Sequence, residues 1–210
     1  YSITYQRSLV PMQTRLPTEA RQAAIVVAAL ALARDTSPAQ ITTHDIAAAV
    51  GVTQGAVFKH FPNKDAIWQA AMRWVRQELM SVLQAAAAGA ATPLQALQAV
   101  FHAHLAFVIS HPGVPRFIFQ ELQQPAESAA KTEVRAVLQA YRKLLLKLLD
   151  QAERQGQVAA DLDHDAAATL FVGIVQGLVM QSMLTGKPGA MRAAAGGVLA
   201  LYLRGIGGTE

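Results

Sequence analysis

The side chains with the clearest chemical use lie together between residues 42 and 64, in the run TTHDIAAAVGVTQGAVFKHFPNK. The Gln54 amide can donate to and accept from an adenine edge at once, and Lys59 can reach guanine or a phosphate. Gly55 and Ala56 beside them carry almost no side chain, so the backbone there can come close to base edges. Phe58 and His60 flank the same face. Thr42, Thr43 and Thr53 offer hydroxyls that cap helix starts or meet phosphate oxygens. Lys64 follows Asn63 at a helix start, where free backbone N–H groups favour an anion. Such a set can grip double-stranded DNA, reading bases through Gln54 and holding phosphates to either side.

Positioning these groups takes two short helices and a sharp turn. Thr42 or Thr43 caps a helix running through Ile46 and Val50, and Gly51 ends it, because glycine adopts the left-handed backbone the turn needs. The small Ala47 leaves room for the next helix to cross closely. Thr53 caps that second helix, which turns Val57 inward. At about eight residues it would span roughly 12 Å, comparable with the width of the B-DNA major groove. Pro62 stops it and Asn63 caps the helix that follows. This is helix-turn-helix spacing.

The run Phe58-Lys59-His60-Phe61-Pro62-Asn63-Lys64-Asp65 resembles the signature of the tetracycline-repressor (TetR) family, over residues 20–72. Phe58 stands where that family usually has tyrosine, so the missing hydroxyl removes one phosphate contact from what the resemblance implies. The rest of the implication is an all-α fold of about nine helices. It comprises a flexible arm (1–16), a helix-turn-helix domain (17–64) and a helical effector-binding and dimerisation domain (65–210). The homodimer would hold a palindromic operator and leave it when a small molecule enters the second domain. By resemblance the effector pocket lies among the helices beginning near residues 63, 92, 114, 129 and 163. Phe101, His104, Phe107, Phe117, Tyr141, Leu145, Phe171 and Gln176 are its expected lining, which favours an apolar ligand; the alternative for each is that it fills the core.

Composition fits this frame. Hydrophobic residues make up 52% and aromatics 6% of 210 residues, and alanine is abundant, which favours close-packed helices over sheets. The formal charge is +4, and all of the excess falls in the first 76 residues, with eight basic against four acidic side chains. That placement suits counterion release from DNA phosphates. There are no cysteines, so disulfide and thiolate chemistry are excluded. The longest unbroken apolar run covers residues 23–33, short of the ~20 needed to cross a bilayer; a cytoplasmic protein without a membrane span is expected.

Along the chain, residues 1–16 lack periodicity and read as a disordered tail, the functional alternative being an arm whose Arg15 reaches DNA phosphates or the minor groove, with Met12 a candidate natural start. Thr18 is expected to cap a first helix over 18–34. A long helix over 63–88, bearing Trp68 and Trp74 as packing anchors, starts at DNA and ends in the second domain. Thr92-Pro93 opens another helix. Short and long helices follow over 114–122, 129–155, 163–185 and 190–204. Gly173 and Gly177, four apart, permit close backbone approach, either within one subunit or to a symmetric partner. With Gly196, Leu199 and Tyr202 they form the expected dimer surface, which the family resemblance favours.

Other constellations fall away. His102 and His104 point about 200° apart on a helix, and His104 and His111 lie about 10 Å apart along its axis, so neither pair shares a metal ion. Asp161, Asp163 and Asp165 lack the twelve-residue loop and closing glutamate of a calcium site and are better read as caps. No nucleophile elbow, phosphate loop or dinucleotide fingerprint occurs, and neither an enzyme nor a cofactor is expected. The rival reading is a helical ligand carrier, or a DNA-binding scaffold without effector control.

Overall fold

The computed structural model describes residues 17–186 and 188–207; the expected arm over 1–16, with Arg15, lies outside them. The described residues form nine helices and no strand: α1 (Thr18–Leu32), α2 (Thr43–Val50), α3 (Gln54–Phe58), α4 (Lys64–Ala88), α5 (Pro93–Ser110), α6 (Gly113–Gln123), α7 (Ala129–Arg154), α8 (His164–Thr185) and α9 (Pro188–Gly205). The all-α expectation is met.

Caps explain most of the boundaries. Side-chain oxygens of Thr42, Thr53, Asn63, Thr92 and Asp163 each accept a backbone N–H from the first turn of their helix, satisfying donors a helix start otherwise leaves free. Gly51 has φ 73° and closes α2 in the left-handed region. Two expectations need correction. Thr18 is the first residue of α1 rather than its cap; Pro17 precedes it with no side-chain cap bond. The regular part of the recognition helix α3 is five residues long, shorter than expected. Its last turn tightens, His60 N–H bonding to the Val57 carbonyl at 2.9 Å, because Phe61 precedes Pro62 and is disfavoured in helical backbone.

α1, α2 and α3 pack on one another, and α1 also packs on α4, around Ile25, Ala29, Ile46, Val57 and Ile67. α4 continues into a second layer against α5 and α7, with α8 and α9 packed behind. Trp68 is buried and stacks on Phe117 at 4.5 Å between ring centroids, so it is the packing anchor expected of it. α8 is long and apolar enough by length and composition to cross a membrane, which an unbroken-run criterion misses because Thr169, Gly173, Gln176, Gly177, Gln181 and Ser182 interrupt it. In the fold one side of it is core: Phe171, Val175, Leu178 and Val179 are buried.

One contact joins the two layers without side chains. A Cβ placed on Gly113, at the start of α6, would lie 2.0 Å from the Leu30 carbonyl oxygen and 3.1 Å from the Ala33 Cβ of the α1 end. Backbone meets backbone there, and no side chain fits. Gly113→Ala should therefore force α6 away from α1 and destabilise the protein by about 1–3 kcal/mol, in the range of overpacking. Urea unfolding should show a lower midpoint; an unchanged midpoint would mean the α1–α6 contact is loose.

Candidate nucleic-acid interface and ligand cavity

The DNA-facing unit is built from its caps outward. The Thr42 N–H and hydroxyl both donate to Asp45 Oδ2, at 2.8 and 2.7 Å, while the Asp45 N–H donates to Thr42 Oγ1 at 3.1 Å. The Thr42 N–H bond, with the hydroxyl's, holds the Asp45 carboxyl below its ordinary value. The Thr42 hydroxyl is thus committed to its own helix start. Thr53 Oγ1 accepts from Ala56 N–H at 3.2 Å, leaving its proton free to donate outward.

On α3, Val57 is completely buried and pins the helix to the body, whereas Gln54, Gly55, Phe58 and Lys59 are exposed. A Cβ on Gly55 would meet nothing nearer than Thr53 Oγ1 at 4.0 Å, so its surface is open to a large partner. The Gln54 amide donates to Thr43 Oγ1 at 2.7 Å, fixing its orientation between the two helices. Ala56 and His60 are half-buried; the His60 carbonyl accepts from Gln22 Nε2 at 3.4 Å. Its buried Nδ1 has no hydrogen-bond partner among the described residues, so His60 is less outward-facing than expected. The Lys64 ammonium donates to the Ala39 carbonyl at 2.8 Å. Burial lowers its pKa, against the pull of Asp65 and Asp45. Lys64 braces the loop between α1 and α2 with one N–H and has two left for an anion.

A second feature lies in the helical body. A cavity of about 120 Å³ is lined by α4, α5, α6, α7 and α8. Of the eight expected lining residues the fold brings His104, Phe107, Tyr141 and Gln176 to it. The other four are corrections, all buried away from the cavity: Phe117 lies under Trp68, and Phe101, Leu145 and Phe171 fill the core behind. Phe171 meets the rings of Phe101, Tyr141 and Tyr202 edge-on at 5.7, 6.3 and 5.3 Å, an aromatic cluster that packs instead of opening. Apart from Phe119, the missed walls are aliphatic, notably Val75 and Leu79 of α4, Ile118 of α6 and Val172 and Val179 of α8. Their helical spacing was readable, but it is the same spacing that marks any core stripe.

The cavity's polar content is nearly self-satisfied. His104 Nδ1 lies 3.2 Å from the Tyr141 hydroxyl. Burial depresses the His104 pKa to about 4 and raises that of Tyr141, so both are neutral at pH 7. Among the described residues no group of three or more His, Asp or Glu side chains is placed to hold a metal. His111 Nδ1 turns to the Phe107 carbonyl at 2.9 Å, and Asp163 caps α8, accepting from Ala166 N–H at 3.0 Å.

The expected pairing surface divides. Gly173, Gly177 and Gly196 have nothing within 4 Å of where a Cβ would stand, so these backbones lie open. Leu199 and Tyr202 do not belong with them. Both are buried, and the Tyr202 hydroxyl donates to the Ala167 carbonyl at 3.2 Å; they hold α9 against α8. The outward apolar residues are Leu170 (54% exposed), Met180 (39%), Leu184 (79%) and Leu201 (63%). Leu170, Gly173, Gly177, Met180 and Leu184 follow one another at alternating steps of three and four, a single seam along α8.

Residues 25–71 match the model of the bacterial regulatory proteins of the tetR family, and residues 120–198 match the tetracyclin repressor-like C-terminal domain. Together the two stretches cover more than half of the chain, one over the helix-turn-helix and one over the seam and half of the cavity lining. The chain belongs to the TetR family. This TetR-family regulator is 24% identical over 157 residues to the nucleoid occlusion factor SlmA of Shewanella amazonensis, covering 74% of this chain and 80% of that one. Its fold is similar to that of the transcriptional regulator FadR from Bacillus subtilis, solved in complex with stearoyl-CoA, with TM-score 0.77, 20% identity and coverage of 88% and 98%. It is also similar to the ketosteroid transcriptional regulator KstR2 of Mycobacterium tuberculosis, with TM-score 0.71, 22% identity and coverage of 90% and 96%.

The buried histidine gives this TetR-family protein a pH signature. Folding lowers the His104 pKa from 6.5 to about 4. The folded state therefore disfavours the proton. The associated stability is fully present above about pH 6.5 and is lost as pH falls towards 4, by a few kcal/mol at most. Thermal melts between pH 7 and 5 should show a steeper loss for the wild type than for His104→Gln, which keeps a hydrogen-bonding partner for Tyr141 but does not titrate. Parallel curves would show that His104 protonates freely in the folded protein.

Proposed function

We propose that this regulator is a cytoplasmic, homodimeric repressor that binds an inverted-repeat operator and is released by a small, mainly apolar effector. The observation that carries the reading is the sharing of α4. It follows directly on the recognition unit at one end, and its Val75 and Leu79 form a wall of the cavity further along. A molecule entering that cavity presses on the helix that supports α3. The lipophilic chemistry named for FadR and KstR2 favours an apolar effector here too. The likeness to a nucleoid occlusion factor favours a second reading, a DNA-bound scaffold without effector control. Operator affinity that ignores every apolar compound would select it.

On DNA, Gln54 reads a base edge with its amide already oriented by Thr43, Lys59 and Lys64 meet phosphates, and the exposed Phe58 ring faces sugar or a thymine methyl. Thr42 supports the face through its cap. Gln54→Ala should relax preference at particular base pairs, at about 1–3 kcal/mol each, while Lys59→Ala should weaken all sequences alike and lower the salt slope by about one. Selection from random DNA at two salt concentrations reads both, and an asymmetric enriched site would contradict a two-fold dimer. Thr43→Val should follow Gln54→Ala in direction, with Thr43→Ser restoring preference.

The dimer pairs through the α8 seam and the exposed side of α9, placing Gly173, Gly177 and Gly196 where two backbones approach closely. Leu184→Glu would set like charges opposite each other across the axis. Sedimentation should then show monomers, with operator affinity falling at least about tenfold as two half-sites cease to bind together. A variant that stays dimeric would move the interface elsewhere.

A further inference from the structure

The effector cavity has a polar neighbour. A groove of about 380 Å³ lies where the turn after α1 meets the ends of α5 and α8 and the start of α6. It shares Val108, Pro115 and Val179 with the cavity as common walls. Its chemistry is different. Arg34 and Arg116 bring guanidinium groups, Ser110 and Ser182 bring hydroxyls, and Asp35 is the single carboxylate. Arg34 Nε stands 3.7 Å from Asp35 Oδ1 with both side chains largely exposed, a weak pair in water. Arg116 makes no ion pair among the described residues. One positive charge is left over in a hollow that lies against an apolar one, with Val108, Pro115 and Val179 between them.

We propose that the effector is an anionic amphiphile, its apolar chain in the cavity and its carboxylate or phosphate head in the groove between Arg34 and Arg116. This rests on the reading of the cavity as the effector site. The cavity alone, near the size that accepts a benzene ring, takes only part of a chain, and in this arrangement the remainder crosses at Val108, Pro115 and Val179 into the groove. A planar guanidinium matches carboxylate and phosphate oxygens in two-pronged pairs. The groove is open enough for the head to keep part of its hydration, so the cost of burying a bare charge does not arise. Arg34 belongs to the turn after α1, on the DNA-binding side, and Arg116 to α6. An anion held by both ties the two layers beside the Gly113 contact, which a neutral ligand of the same chain cannot do.

The test compares octanoate, octanoyl-CoA and 1-octanol on the full-length protein by titration calorimetry, with operator affinity measured in parallel. The two anions share the head chemistry and separate its sources, a free carboxylate against a phosphate-bearing thioester. At least one anion should bind about tenfold or more tighter than octanol. Arg116→Gln, at an exposed position, should erase that advantage while leaving octanol binding and ligand-free operator affinity unchanged; Arg34→Gln should act in the same direction on the anion. Equal affinity for octanol and both anions, or an anion advantage that survives both substitutions, overturns the proposal while the apolar-effector reading stands. If none of the three binds a protein that still holds its operator, both fall.

Discussion

One helix has to belong to two cores at once. α4 is 25 residues long, about 37 Å at 1.5 Å per residue. Its buried residues Ile67, Ala71, Val75, Leu79 and Leu83 recur every fourth position along one stripe, with Trp68 and Met72 beside them. The first of these sit in the layer of α1, α2 and α3, and the last in the layer of α5 and α7. Close-packed interiors resist small displacements, so neither layer can absorb a shift of α4 by itself. Asn63 fixes where the rod begins, its side chain accepting from Ala66 N–H at 2.8 Å. The recognition helix ends only a few residues earlier, which leaves little slack between rod and reading head.

The Gly113 contact adds a second link that bypasses α4. Where two segments touch through main chain and a single methyl group, rotamer changes cannot cushion a movement, and displacement of α6 is passed to the end of α1. α6 also supplies Val114, Pro115, Ile118 and Phe119 to the cavity wall. The cavity is therefore bounded by both structures that reach the DNA-binding layer. The His104–Tyr141 pair sits among the cavity-lining residues, and because each partner satisfies the other, the pair adds little polar debt there. An entering apolar group meets mainly rings and methyls, with Gln176 as the polar lining residue outside that pair.

The helix-turn-helix was legible because its signals are local. A hydroxyl or amide three residues before a free N–H, a glycine with positive φ and a proline after an aromatic act through bonds within one or two turns. Thr42, Gly51, Thr53 and Asn63 consequently stand where expected. The cavity was half legible for the opposite reason. Whether Phe101 or Phe107 faces a hollow depends on how five helices cross, and sequence periodicity reports only that a face is buried. Large aromatics were expected to mark the pocket, yet Phe101, Phe117 and Phe171 pack on other rings, and valine is the commonest residue in the lining. Leu199 and Tyr202 failed similarly. Their spacing made an apolar face on α9, but that face belongs to its own subunit, and only the glycines and the exposed leucines mark the opposite side.

That two-sidedness accounts for the composition of α8. A helix with one buried face reads as amphipathic, whereas α8 is apolar nearly all round and carries the hydropathy of a membrane span. Its inner side supplies Val172, Val175 and Val179 to the cavity, and its outer side carries the seam from Leu170 to Leu184. In the proposed dimer both sides are covered, so the high hydropathy follows from burial against a ligand site on one side and a second copy on the other. The same helix then has a stake in ligand binding and in the angle between two subunits. By linkage, if ligand binding in such a dimer weakens DNA binding by some factor, DNA binding weakens ligand binding by that same factor. The small residues on its outer side would let the two backbones of that proposed dimer approach closely.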